Sequence, residues 1–227
     1  MDFWIYSVIT IAYIILLLFM FTHLARTKQW FHYPILLVIL ALGLAYDNGI
    51  IAAGNAIGEG KPLMILSSLR FWIHAFVTPG LVLVGYYILQ RSGAAFASKT
   101  YIRISAWILT LALILYQVFA QTLHEVKNLQ LVQEYGVLRY AAEGTSGPPI
   151  MVIVVGLILL IIGIILIFRQ KWIWMFVGTA LLFIGQLVPL PFESSAATNI
   201  FELILIISLW VTILFQDHKN GSYPTTR

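Results

Sequence analysis

The chain has 227 residues, 61% of them hydrophobic and only 10% charged, with a formal net charge of +4 and a mean hydropathy of +0.94. Soluble domains carry about 25% charged residues, so this composition excludes an ordinary water-soluble globule. It equally excludes a disordered chain, which combines low hydrophobicity with high net charge, and leaves an all-α, polytopic membrane protein.

In a membrane protein a basic excess collects in cytoplasmic loops. No basic cluster interleaved with aromatics lies outside the apolar runs, so nucleic acid is not a predicted partner. The chain has no cysteine, which removes disulfides, thiolate metal sites and catalytic thiols. Met1-Asp2-Phe3-Trp4 lacks the positive n-region of a signal peptide, and the apolar run after it is read as a retained first span.

In chain order, seven segments approach the ~20 apolar residues that cross ~30 Å of hydrocarbon. They are 3–21, 34–56, 63–89, 104–123, 150–168, 172–188 and 199–215. They predict one seven-helix transmembrane domain over residues 1–216 and a short tail over 217–227. The third run contains Pro79-Gly80, which predicts a kink of the kind tolerated where neighbours satisfy the freed carbonyl. The longest connection is 125–147. There Asn128 is positioned to cap a short amphipathic helix, with Leu131, Tyr135 and Leu138 on one face, lying along the interface. Arg26-Thr27-Lys28-Gln29-Trp30 after the first run resembles Arg169-Gln170-Lys171-Trp172 after the fifth, a weak sign of internal duplication.

Basic residues predict the orientation. One alternating set of loops plus the tail holds nine: Arg26, Lys28, Arg91, Lys99, Arg103, Arg169, Lys171, Lys219 and Arg227. The other set holds three, Lys61, Lys127 and Arg139, and Arg70 lies within a span. The N-terminus is therefore expected outside and the C-terminus in the cytoplasm, with the plasma membrane as the location. Trp4 at the outer boundary and Trp30, Trp172 and Trp174 at the inner one fit aromatic belts.

Depth is the informative feature. At ~1.5 Å per residue, Arg70 lies roughly 10–12 Å below the outer boundary and His74 near the midplane. Asp47 and Asn48 fall in the same outer layer, as do Gln117, Gln121, Gln186, Asn199 and Glu202, while the inner half reads as aliphatic. Ser67, Arg70, His74 and Thr78 form one stripe, and Gln117, Gln121 and His124 another. Polar stripes avoid lipid, because an ionised group at the bilayer centre costs about 2.5–3.5 kcal/mol or more. A polar cavity with a greasy floor, opening to the non-cytoplasmic side, is expected.

Arg70 keeps its charge and needs a buried anion, with Asp47 the best match in depth and Glu202 the second. His74 is the candidate proton-transfer residue, poised by Asp47. Arg70 is expected to bind a phosphate or carboxylate in bidentate fashion, with Asn48, Gln117, Gln121 and Glu202 orienting the substrate. Asp47, His74, His124 and Glu125 are ligand types that zinc accepts. Their spacing matches no metal motif, and His74 is ~15 Å deeper than His124, so no metal site is predicted and no particular cofactor is implied. A covalent retinal protein needs a lysine in the last span, and 199–215 contains none. Three function classes fit: an enzyme acting on a membrane lipid or other amphiphile, a small-solute transporter or sensor, and a structural protein whose polar layer specifies packing. The first is the reading adopted from the sequence.

Overall fold

The computed structural model describes residues 1–28, 30, 32–142, 149–187 and 194–219. The chain is 83% helical. Helix α1 runs Asp2–Thr27 with an acid in its first turn, where it complements the helix dipole. It closes on Lys28 in the left-handed region (φ 56°), whose N–H bonds the Leu24 carbonyl. Helix α2, Pro34–Ile57, begins on proline, whose missing N–H is one of the first-turn orphans. Helix α3, Lys61–Val77, passes through a 3-10 turn at Thr78–Gly80 into α4, Leu81–Gln90. The break expected at Pro79-Gly80 is thus a tightened turn rather than an uninterrupted α-helix.

Helix α5, Thr100–Tyr116, continues as a π-helical turn at Gln117–Thr122 and ends as α6, Leu123–Lys127. After a β-hairpin come α7 (Ile150–Gln170), α8 (Trp174–Leu187) and α9 (Ala197–Lys219). Like α1, α7 closes on a left-handed lysine, Lys171 (φ 58°), so the two similar basic segments share a helix-ending geometry.

Among the described residues six helical stretches are long and apolar enough to cross a membrane: Asp2–Thr27, Pro34–Ile57, Lys61–Gln90, Thr100–Lys127, Ile150–Gln170 and Ala197–Lys219. The segment expected as the sixth of seven spans forms α8, of 14 residues. At ~1.5 Å per residue that is about 21 Å, short of a full hydrocarbon crossing. Val188, where that span was expected to end, lies outside the described residues.

The short helix expected after Asn128 is instead the hairpin. Strands β1, Leu129–Glu134, and β2, Val137–Ala142, pair antiparallel with Val132 opposite Arg139. Tyr135 (φ 51°) and Gly136 (φ 85°) make the two-residue turn with both central residues at positive φ, which matches the strand twist. Asn128 closes α6 rather than opening a helix, its side-chain amide donating to the His124 carbonyl at 3.0 Å.

The hairpin lies against one end of the bundle. Val137 packs with Tyr6, Ile51 and Ala196. Asn55 Nδ2 donates to the Gly136 carbonyl at 2.7 Å, and the Asp2 backbone N–H donates to the Tyr135 carbonyl at 3.1 Å. Gly54 allows this approach, because a Cβ there would overlap the Leu138 carbonyl. Asp2, itself buried, accepts from the Ser195 backbone N–H at 2.7 Å and ties the start of α1 to the start of α9.

Between the ends, Tyr13, Met20, Leu37, Leu83, Leu159 and Leu209 are enclosed, whereas Leu18, Ile108, Leu111 and Ile161 face outward. Lipid tails are as apolar as leucine, so such helices are held by close packing and interhelical polar contacts rather than by a hydrophobic force.

The opposite end corrects two expectations. Helix α9 runs on through Lys219, so Asp217 is no part of a tail: it is fully buried. Its carboxylate pairs with His23 Nε2 at 2.8 Å and Arg91 Nη1 at 2.5 Å, while Gln216 Nε2 donates to Gln170 Oε1 at 3.0 Å. That half of the bundle carries a polar clasp among α1, α4, α7 and α9 rather than aliphatic packing alone. Residues 220–227 lie outside the described residues.

Candidate functional site

The α2–α3 pairing sets the site. Tyr46 donates from its hydroxyl to the Leu66 carbonyl at 2.9 Å, fixing the two helices side by side at the hairpin end. One turn away, Arg70 Nε donates to Asp47 Oδ1 at 2.6 Å, with side-chain exposures of 12% and 23%. The ion pair expected from depth alone is present.

Beside it lies a cavity of about 280 Å³. Arg70, His74 and Thr78 of the α3 stripe line it. Asp47 contributes from α2, Gln117 and Gln121 from the π-helical turn, and Asn199 and Glu202 from α9. Five separate helical stretches, counting Val152 of α7, therefore meet around one hollow. It runs from Glu125 and Pro149 near the hairpin end to His74 and Thr78 in the middle of the bundle.

Three sequence expectations change in detail. The fourth member of the α3 stripe, Ser67, is fully buried and accepts from the Tyr140 backbone N–H at 3.3 Å, so it anchors the hairpin. Asn48 is buried and satisfied at both ends, donating to the Leu44 carbonyl at 2.8 Å and accepting from Asn199 Nδ2 at 3.0 Å. It joins α2 to α9 and does not line the cavity. On the α5–α6 element, Glu125 rather than His124 reaches the cavity. A π-helical turn inserts one residue and shifts the helical phase by about 100°, which moves the residue after His124 onto the polar stripe. The side chain of Gln186 lies outside the described residues.

His74 is held by Thr78, whose Oγ1 lies 3.1 Å from its Nδ1, and not by Asp47, which is engaged by Arg70. One lining group is a buried acceptor without a hydrogen-bonding partner among the described residues. Gln117, only 4% exposed, has an Oε1 with no donor, and Glu202 lines the same cavity.

Below this polar chamber is an apolar arm of about 50 Å³, walled by Leu81, Val155, Leu159, Leu182, Leu205 and Ile206. His74, Thr78 and Glu202 line both compartments, so the ionisable groups stand at the boundary between polar and apolar space. Among the described residues no three His, Asp or Glu side chains come together in a way that could hold a metal ion. The site can therefore bind and orient a molecule with unlike ends, and can move a proton at the boundary through His74 or Glu202.

The sequence reading missed the hairpin that closes this end and the His23–Asp217–Arg91 clasp at the other. A Tyr-Gly pair between two short runs rich in Leu and Val was the available signal for the first. For the second, the only cue was an acid placed between Gln216 and His218. No protein-family model matches the chain, and no curated protein is significantly similar to it.

Proposed function

We propose that the chain is an integral protein of the cell membrane with seven spans, its N-terminus outside and its C-terminus cytoplasmic. We read it as an enzyme acting on a lipid or other amphiphile that enters the cavity from the non-cytoplasmic half of the bilayer. Nine basic residues against three support the orientation. The seventh span is supported by connectivity: α7 ends at the clasp and α9 starts at the hairpin end, so α8 has to carry the chain back between them.

The observation that carries the enzymatic reading is the convergence of Asp47, Arg70, His74 and Glu202 on one hollow. A structural lock needs only the Arg70–Asp47 pair. Ionisable residues within spans are expensive and mark functional sites by default. His74 is the proton-transfer group, since its Nδ1 is oriented by Thr78 and an imidazole can both accept and donate a proton. Arg70 and Asp47 hold the polar wall, and Gln117, Gln121 and Glu202 orient the substrate.

Purified protein in nanodiscs, incubated with a total membrane-lipid extract and read by mass spectrometry, tests this. Wild type depletes one lipid class, while folded His74→Gln, which keeps hydrogen bonding but not proton transfer, depletes none. Equal depletion by both, or none by wild type, contradicts the reading.

The break at Thr78–Gly80 beside His74 favours a second reading, because transporters place binding sites at interrupted helices. Under it, solute flux in liposomes falls in Asp47→Asn and Glu202→Gln; unchanged flux in both removes it.

A further inference from the structure

The cavity carries information about the head of its ligand. Its ionisable lining consists of three carboxylates, Asp47, Glu125 and Glu202, against the single guanidinium of Arg70, with His74 between them. Arg70 is already compensated by Asp47 at 2.6 Å. An anionic head would therefore face Glu125 and Glu202 with no free cation to meet it, since no lysine and no second arginine lines the cavity among the described residues.

The orphaned acceptor points the same way. Gln117 Oε1 is a buried acceptor without a donor among the described residues, and the Glu202 carboxyl lines the same cavity. A buried acceptor left without a donor is destabilising. A molecule that brings N–H donors and a positive charge satisfies Gln117 Oε1 and complements the acid-rich lining. Glu202 also lines the apolar arm, so the donor end lies next to the space that takes a chain.

We propose that the ligand is a single-chain amphiphile with a protonated primary amine as its head, donating to Glu202 and Gln117, and with its chain in the arm walled by Leu159, Leu182 and Leu205. This rests on the amphiphile reading above and reverses the charge that Arg70 alone suggested.

Calorimetric titration of the purified protein in phosphatidylcholine nanodiscs tests it with four probes: hexylamine, hexanoate, ethylamine and hexyltrimethylammonium. Empty nanodiscs give the partitioning baseline. Hexylamine binds saturably, about tenfold or more tighter than the other three, and Glu202→Gln weakens it by about tenfold, the value of a charge-assisted hydrogen bond. Tighter binding of hexanoate, no loss in folded Glu202→Gln, or no saturable binding of any probe overturns the proposal. Ethylamine binding as tightly as hexylamine overturns the chain. If Glu202→Gln does not fold, the wild-type comparison decides: hexyltrimethylammonium keeps the charge but has no N–H, and binding equal to that of hexylamine rules the amine donor out. The two proposals fail separately. Hexylamine binding without lipid turnover leaves this inference and removes the enzyme, whereas turnover by a protein that prefers hexanoate does the reverse.

Discussion

Arg70 Nε and Asp47 Oδ1 sit 2.6 Å apart across the α2–α3 interface, and neither side chain is more than a quarter exposed. Such a pair is a weak source of net stability but a strong constraint, because removing one partner strands the other. Arg70→Met or Asp47→Leu alone is expected to lower stability by about 3–5 kcal/mol, while the double variant recovers most of the loss. Thermal unfolding in nanodiscs reads the cycle. The double variant separates lock from site: on the present account it folds yet no longer turns over lipid.

At the other end, Asp217 holds both His23 and Arg91 and is fully buried. Asp217→Asn leaves Arg91 without its counter-ion and is expected to cost about 3–5 kcal/mol of stability. Binding of hexylamine by the folded fraction should not change, because none of the clasp residues lines the cavity. Denaturant unfolding alongside calorimetry checks both halves of that statement.

The hairpin depends on a bare α-carbon. In Gly54→Ala the new methyl meets the Leu138 backbone carbonyl, which cannot rotate aside. Overpacking of this kind costs about 1–3 kcal/mol. The expected outcome is a hairpin lifted off α2, read as faster hydrogen exchange of the amides in 129–142 with protection in α7 and α9 retained.

The apolar arm is small enough for one side chain to close. Leu205→Phe adds volume to its wall and should bring hexylamine affinity down to that of ethylamine, with ethylamine itself unchanged. Calorimetry on the two amines checks it, and an undiminished preference for hexylamine would place the chain elsewhere.

Much of the site was legible from spacing and depth. Arg70, His74 and Thr78 recur at four-residue intervals on one helix, and rise per residue puts Asp47 level with Arg70, so their meeting followed from helical geometry. What spacing misread was any place where the helical phase changes. Leu131, Tyr135 and Leu138 imitate one face of a helix, yet Tyr135-Gly136 turns the chain back between two paired antiparallel strands. His124 lost its place to Glu125 because the π-helical turn that precedes it is invisible to a fixed period of 3.6 residues. The Asp217 clasp was hidden for another reason. Its partners lie 194 residues away in His23 and just past the end of α4 in Arg91, and nothing local marks an acid near a chain end as buried.

The central claim is that a solvent-reachable, acid-lined hollow lies in the non-cytoplasmic half of the bundle. The chain contains no cysteine, so a single introduced thiol reports on its own position. In intact cells, Gln121→Cys is expected to react with a membrane-impermeant cationic methanethiosulfonate, and faster than with its anionic analogue, while the outward-facing Ile207→Cys stays unlabelled. No labelling of Gln121→Cys from outside, or preference for the anionic reagent, would contradict the account.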